Sequence, residues 1–181
     1  IALQRVTFRF IPDAAAQATA LLAGDVDAFP RIGVRSVAQF QSDPRFQVLI
    51  SGSRAKTILS INNTRPPLND VRVRRALAAA IDRQAVITGA AEGFGVPIGS
   101  HYTPNAPGYI DTTGINPFHP ERARQLLQEA GVTLPLKLHM TLPPTPYARQ
   151  GGEIIAAQLA QVGVQVQLIN VEWAQWLSQT Y

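Results

Sequence analysis

Three histidines, His101, His119 and His139, are the first candidates for chemistry in this chain. A protein metal site needs several His, Cys or carboxylate ligands converging on one ion. None of the three has a second ligand type at i+3 to i+5, the spacing that would place two on one helix face, so a metal centre is not expected. The absence of cysteine removes thiolate ligands, disulfides and a thiol nucleophile together. Asp25 and Asp27 could act as a general acid and base, but two positions apart in a short strand they share its outward face. No GxSxG and no phosphate-binding GxxxxGK[ST] occurs. Gly93-Phe94-Gly95 is two-thirds of a dinucleotide fingerprint, and it follows a helix where that fingerprint requires a strand. Catalysis is therefore not the expectation. His119, just before Pro120, is most economically a helix N-cap, and His139 a strand residue.

The elements that must hold any site are legible from periodicity. Val6, Phe8 and Phe10 alternate with Arg5, Thr7 and Arg9, which predicts a half-buried strand. Pro12-Asp13 turns the chain into an Ala-rich helix that Gly24 ends. Short strands are expected at 25–29, 45–50 and 57–62, with a brief helix at 37–42 capped by Ser36. Asn69 or Asp70 starts a helix whose Val73, Ala76, Leu77, Ala80 and Ile81 form one stripe, and Asp82 starts another. Arg72, Arg74 and Arg75 lie mostly off that stripe and read as a solvated face. Residues 93–118 form a long Gly- and Pro-rich passage, of a length that is usually functional or packed over another element. Pro120 opens a helix with Ala123, Leu126, Leu127 and Ala130 buried, closed by Gly131. A strand at 136–140, the turn LPPTP, a helix at 147–162 ending at Gly163, a strand at 164–168 and an amphipathic helix from Trp173 complete the order. Mixed strands and helices without repeats make the class α/β.

Composition narrows the function. The 181 residues can fill one core and at most two small domains. Nearly half are apolar, 15% are charged, and the net charge is +4. The basic residues are scattered, so nucleic acid is not an expected partner. No apolar run reaches the roughly 18–20 residues of a membrane span. No basic-then-apolar leader is present, so a signal peptide would lie outside this sequence. A start already in a strand and a stop at Tyr181 within a helix suggest a piece of a larger protein.

Five segments then carry a resemblance in fixed order: ATALLAGDVDAF (18–29), SINNTRPPLNDVRVRRALAAAIDRQAVI (60–87), GVPIGSHYTPNAPGY (95–109), HPERARQLLQEAGV (119–132) and GEIIAAQLAQVGVQVQLINVEW (152–173). Together they resemble the family 5 extracytoplasmic solute-binding proteins, receptors that deliver peptides, nickel complexes and similar ligands to ABC importers. The resemblance implies a type II periplasmic-binding-protein-like α/β lobe with a mixed sheet flanked by helices. It makes residues 1–181 a single lobe, most of the C-terminal ligand-binding lobe of a two-lobed receptor. It further implies a non-enzymatic, cofactor-free protein, periplasmic or extracytoplasmic, that captures a peptide-like or other small-molecule ligand between its lobes and hands it to an ABC transporter permease.

The same resemblance nominates site residues. Trp173 stands where oligopeptide receptors place a ligand-facing Trp, with a core stripe of Trp173, Trp176 and Leu177 as the alternative. Tyr147 matches a pocket-lining position, or else is a surface or lobe-packing Tyr. Thr145 falls near the Arg that pairs with a peptide carboxylate in dipeptide receptors; it offers hydrogen bonds without charge, which puts dipeptide specificity in doubt. Arg149 could compensate, with a plain surface Arg as the favoured alternative. Thr180 and Tyr181 fall where oligopeptide receptors carry basic cleft residues. The competing class is the ligand-sensing lobe of a cytoplasmic transcription regulator with a separate DNA-binding domain. A hydrolase with an unrecognised site is disfavoured by the missing nucleophile–base motif.

Overall fold

Capping side chains set the helix boundaries in the computed structural model, which describes residues 2–180. The chain divides into two compact units, Ile1–Ser51 and Gly52–Tyr181. In the first, Asp13 caps helix α1 (Ala14–Ala23) by accepting from the Ala16 N–H at 2.8 Å. Gly24 stops the helix at φ 77°, a left-handed conformation that costs glycine nothing. Helix α2 (Val37–Gln41) follows a 3-10 turn at 34–36, and Ser36 belongs to that turn and makes no capping bond. Phe40 is fully buried and meets Phe46 edge-to-face, with ring centroids 4.9 Å apart. The Arg45 guanidinium lies 5.1 Å from the centre of the Phe46 ring.

The second unit is built on α3 (Val71–Ala80), α4 (Arg83–Ala91), α5 (Pro120–Glu129), α6 (Pro146–Ala160) and α7 (Trp173–Gln179). Its two strands, β1 (Leu136–Leu142) and β2 (Val164–Asn170), pair in parallel with Leu136 opposite Val164 and Leu142 opposite Asn170. A parallel pair requires a crossover, and α6 supplies it. Asp70 caps α3, Asp82 caps α4 through the Gln84 and Ala85 N–H groups, and His119 Nδ1 accepts the Arg122 N–H at 3.2 Å to cap α5. The stripes read from sequence meet in one core. Val73, Ala76, Leu77 and Ala80 of α3 and Ala123, Leu126 and Leu127 of α5 join Leu136, Leu159 and Val164. Ile81 has left the helix in an extended conformation and packs at the core's margin.

Two expectations fail. The segments at 5–10, 25–29, 45–50 and 57–62 form no ladder; among the described residues the only sheet is the β1–β2 pair. Alternation fixes which side chains share a face, but a strand exists only when a neighbour takes its N–H and C=O groups. Phe8 and Phe10 are accordingly 81% and 95% exposed rather than half-buried. The arginine face of α3 is also only partly a solvated one. Arg74 donates to the Leu68 and Asn69 carbonyls, and Arg72 pairs with Asp70 and donates to the Glu129 carbonyl at the end of α5. The Arg72 cation on the Glu129 carbonyl satisfies a group that the end of α5 leaves orphaned.

The Asp70–Arg72 link gives a pH dependence. The Arg72 guanidinium, through its hydrogen bonds to the carboxylate, holds Asp70 below the usual carboxylate range, with the Arg72 backbone N–H adding to the effect. A carboxylate whose pKa is lowered by folding stabilises the fold above its unfolded pKa and stops doing so as pH falls through the lowered value. The melting temperature should therefore decline as pH drops below about 4. A melting series from pH 6 to pH 2 should show a shallower decline for Asp70→Asn than for the native chain.

Candidate functional site

Parallel strands bring their carboxyl ends to one edge, and ligands of open α/β sheets bind in the crevice outside those ends. Here the edge is formed by Leu142 and Asn170, and the Val171 N–H extends the pairing by one bond, 3.0 Å to the Leu142 carbonyl. From β1 the chain passes through Pro143-Pro144-Thr145 directly into α6; from β2 it passes through Val171-Glu172 directly into α7. Both connections are too short to wander, so the first residues of α6 and α7 are carried by the sheet. Gly152 lets the strand end lie against α6. A Cβ there would stand 2.7 Å from Cδ1 of the buried Leu142.

Five of the six nominated residues are described, and Thr145, Tyr147, Arg149 and Trp173 stand at this edge. Thr145 is the N-cap residue of α6 but makes no capping bond, and its Oγ1 is buried without a hydrogen-bond partner among the described residues. A buried hydroxyl normally has a partner, and none is described for this one. Tyr147, in the first turn of α6, is 47% exposed, and Trp173, the first residue of α7, is 50% exposed. Arg149 also lies at the start of α6, with its guanidinium 4.0 Å from the Glu172 carboxylate. An ion pair that open to water contributes little stability. At this distance it marks that the start of α6 and the residue preceding Trp173 are neighbours, without holding the guanidinium in place. Tyr181 lies outside the described residues. Thr180 closes α7 and is exposed.

The stripe reading of α7 does not describe the helix. Trp173 and Leu177 are exposed and only Trp176 is half-buried, so no apolar face of α7 is sealed into a core. Sequence reasoning missed Glu172. A Glu four residues before Trp176 reads as an ordinary helix-start acid, and only the fold shows that Arg149, 23 positions earlier, reaches it. Of the other residues considered, His101, His119 and His139 are all exposed on separate elements, and Asp25 and Asp27 are exposed beside half-buried Val26. Among the described residues no three His, Cys, Asp or Glu side chains gather closely enough to hold a metal, and no helix is long and apolar enough to cross a membrane.

The edge thus carries two half-exposed aromatic rings, a buried hydroxyl and a guanidinium–carboxylate pair, on segments that leave the strand ends directly.

Comparison with known proteins places the chain among relatives of similar design. It is 29% identical to heme-binding protein A of Haemophilus influenzae over 96% of this chain and 33% of that protein. It is likewise 29% identical to the dipeptide-binding protein of Escherichia coli, over 97% of this chain and 34% of the relative. The solved structure of the ABC transporter-associated periplasmic binding protein DppA from Helicobacter pylori, in complex with the peptide STSA, superposes with a TM-score of 0.83 at 26% identity, covering 95% of this chain and 33% of that one. The chain thus spans about a third of the length of the relatives it matches, and its fold is that of the type II periplasmic binding proteins. The family profile for bacterial extracellular solute-binding proteins, family 5 middle region, matches residues 1–181, and the chain belongs to that family.

Proposed function

We propose that this chain is most of the C-terminal lobe of an extracytoplasmic receptor that captures a small peptide-like ligand and delivers it to the permease of an ABC importer. One observation carries the reading. Half-exposed Tyr147 and Trp173 stand on the two segments that leave the carboxyl ends of the parallel strands, and Arg149 on the first segment reaches Glu172 on the second. Large aromatics cost free energy when left in water, and each of these two presents an apolar face with a polar tip suited to a ligand of mixed character. Membership of the family supports binding rather than turnover as the activity. The names of relatives, which include dipeptide-, nickel- and heme-binding proteins, support a substrate-binding role in transport.

The ligand is held between this lobe and a second one, and it favours closure to the extent that it contacts the closed state better than the open state. Thr145 in place of a charged group leaves recognition of a ligand carboxylate to Arg149. Arg149 can turn to it because its present partner is 4.0 Å away and exposed. The reading therefore favours peptides over uncharged sugars.

Thermal-shift screening of the full-length receptor against dipeptides, tripeptides, longer peptides, nickel chelates, heme and sugars tests this. A peptide at a hundred times its dissociation constant should stabilise the protein by about 2.7 kcal/mol. A shift with a sugar or chelate and none with any peptide would keep the receptor and overturn the ligand class.

A further inference from the structure

A second concave feature lies away from the strand ends, between α3 and α5. It is a groove of about 320 Å³ lined by Arg75, His119 and Arg122 on its polar side and by Ala79, Leu126 and Ile115 on its apolar side. Three features make it a built surface. The loop that borders it is pinned twice, by the Arg83 guanidinium on the Asn116 carbonyl and by the His119 N–H on the Ala79 carbonyl at 2.7 Å. His119 Nδ1 is occupied by the Arg122 N–H, so in neutral His119 it is Nε2 that carries the proton and is free to donate. Arg122 reaches Glu129, whereas Arg75, one turn along α3 from Arg72, is exposed and engages no acidic group among the described residues. No carboxylate lines the groove, and Ile115 on its rim is 72% exposed.

We propose that this groove is a docking surface for an acidic, apolar-tipped segment of a partner protein, and that the partner is the membrane subunit of the transporter. Charge complementarity selects the occupant. A Glu or Asp side chain would find Arg75 unpaired, with Arg122 and the His119 donor beside it, while a neighbouring aliphatic side chain would cover Ile115 and Leu126. A small free anion would leave that apolar wall in water, and the groove lies open to solvent, unlike a small-molecule cavity that buries most of its ligand. The naming of the transporter rests on the receptor reading above; the acidic segment does not. Rim charges of this kind act on association and its salt dependence more than on fold.

The test places a photo-crosslinking amino acid at Ile115 in the full-length receptor, in cells, with and without Arg75→Glu. An adduct is expected at an acidic segment of the transporter's membrane subunit, identified by mass spectrometry, with its yield reduced about tenfold by the charge reversal, a loss of one rim charge pair. Ligand affinity, measured by calorimetry on the same variant, should be unchanged. No Ile115-dependent adduct, or one that Arg75→Glu leaves intact, overturns the proposal. An Arg75-dependent adduct to an acidic segment of a different protein keeps the groove and sinks the transporter assignment, and a receptor that takes up no ligand in the thermal screen sinks the receptor reading separately.

Discussion

Trp173→Ala in the full-length receptor is expected to weaken ligand binding about fiftyfold while leaving the melting temperature of the unliganded protein nearly unchanged. The ring is half-exposed, so on the order of 100 Å² of indole remains for a ligand to cover. At roughly 25 cal/mol per Å² this is about 2.5 kcal/mol, or between one and two decades of affinity. Trp173→Phe should recover most of it, because a phenyl ring keeps the apolar face and loses only the N–H. Stability should hardly respond, since Trp173 and Leu177 seal no core. Calorimetric titration of the three proteins with one peptide decides the matter. Equal affinity for the native chain and the alanine variant would remove Trp173 from the site.

Leu127→Ala should have the opposite profile, costing about 2–5 kcal/mol of stability with no direct effect on ligand contacts. Leu127 is 0% exposed and belongs to the core cluster that α5 shares with α3, β1 and β2. Shortening it removes buried methyl groups and leaves a cavity that flanking helices fill only in part. Against the 5–15 kcal/mol of a typical domain the loss is large, and a fall in melting temperature of roughly 5–15 °C is expected. The matched control is Leu177→Ala, at a position 66% exposed, which should fall within about 0.5 kcal/mol of the native protein.

The contrast between these residues shows what could be read in advance. Helices declare themselves locally: Asp70, Asp82 and His119 cap α3, α4 and α5 as their sequence positions predict. The stripes of α3 and α5 were legible for the same reason, since a 3.6-residue period needs no knowledge of the partner. Strands do not share that property. Residues 136–142 and 164–170 pair because α6 returns the chain beside its own start, whereas Val6, Phe8 and Phe10 alternate just as cleanly and pair with nothing described. At the site, periodicity could not tell whether Trp173 packs inward. Exposure depends on where α7 leaves the sheet, which is a property of the whole βαβ unit. The Arg149–Glu172 pair was illegible for the same reason: it joins two segments separated by an entire helix and strand.

The tight connections at the strand ends also bear on how such a protein diversifies. Pro143, Pro144 and Thr145 form one turn, and Tyr147, Arg149 and Trp173 stand on the first turns beyond the strands, while the core rests on Leu127, Leu159 and Val164 elsewhere. On the proposed reading, ligand preference and folding are written in nearly disjoint sets of positions. Substitutions in one short turn would then retune what is recognised without drawing down the stability reserve, and the scaffold beneath would stay unchanged.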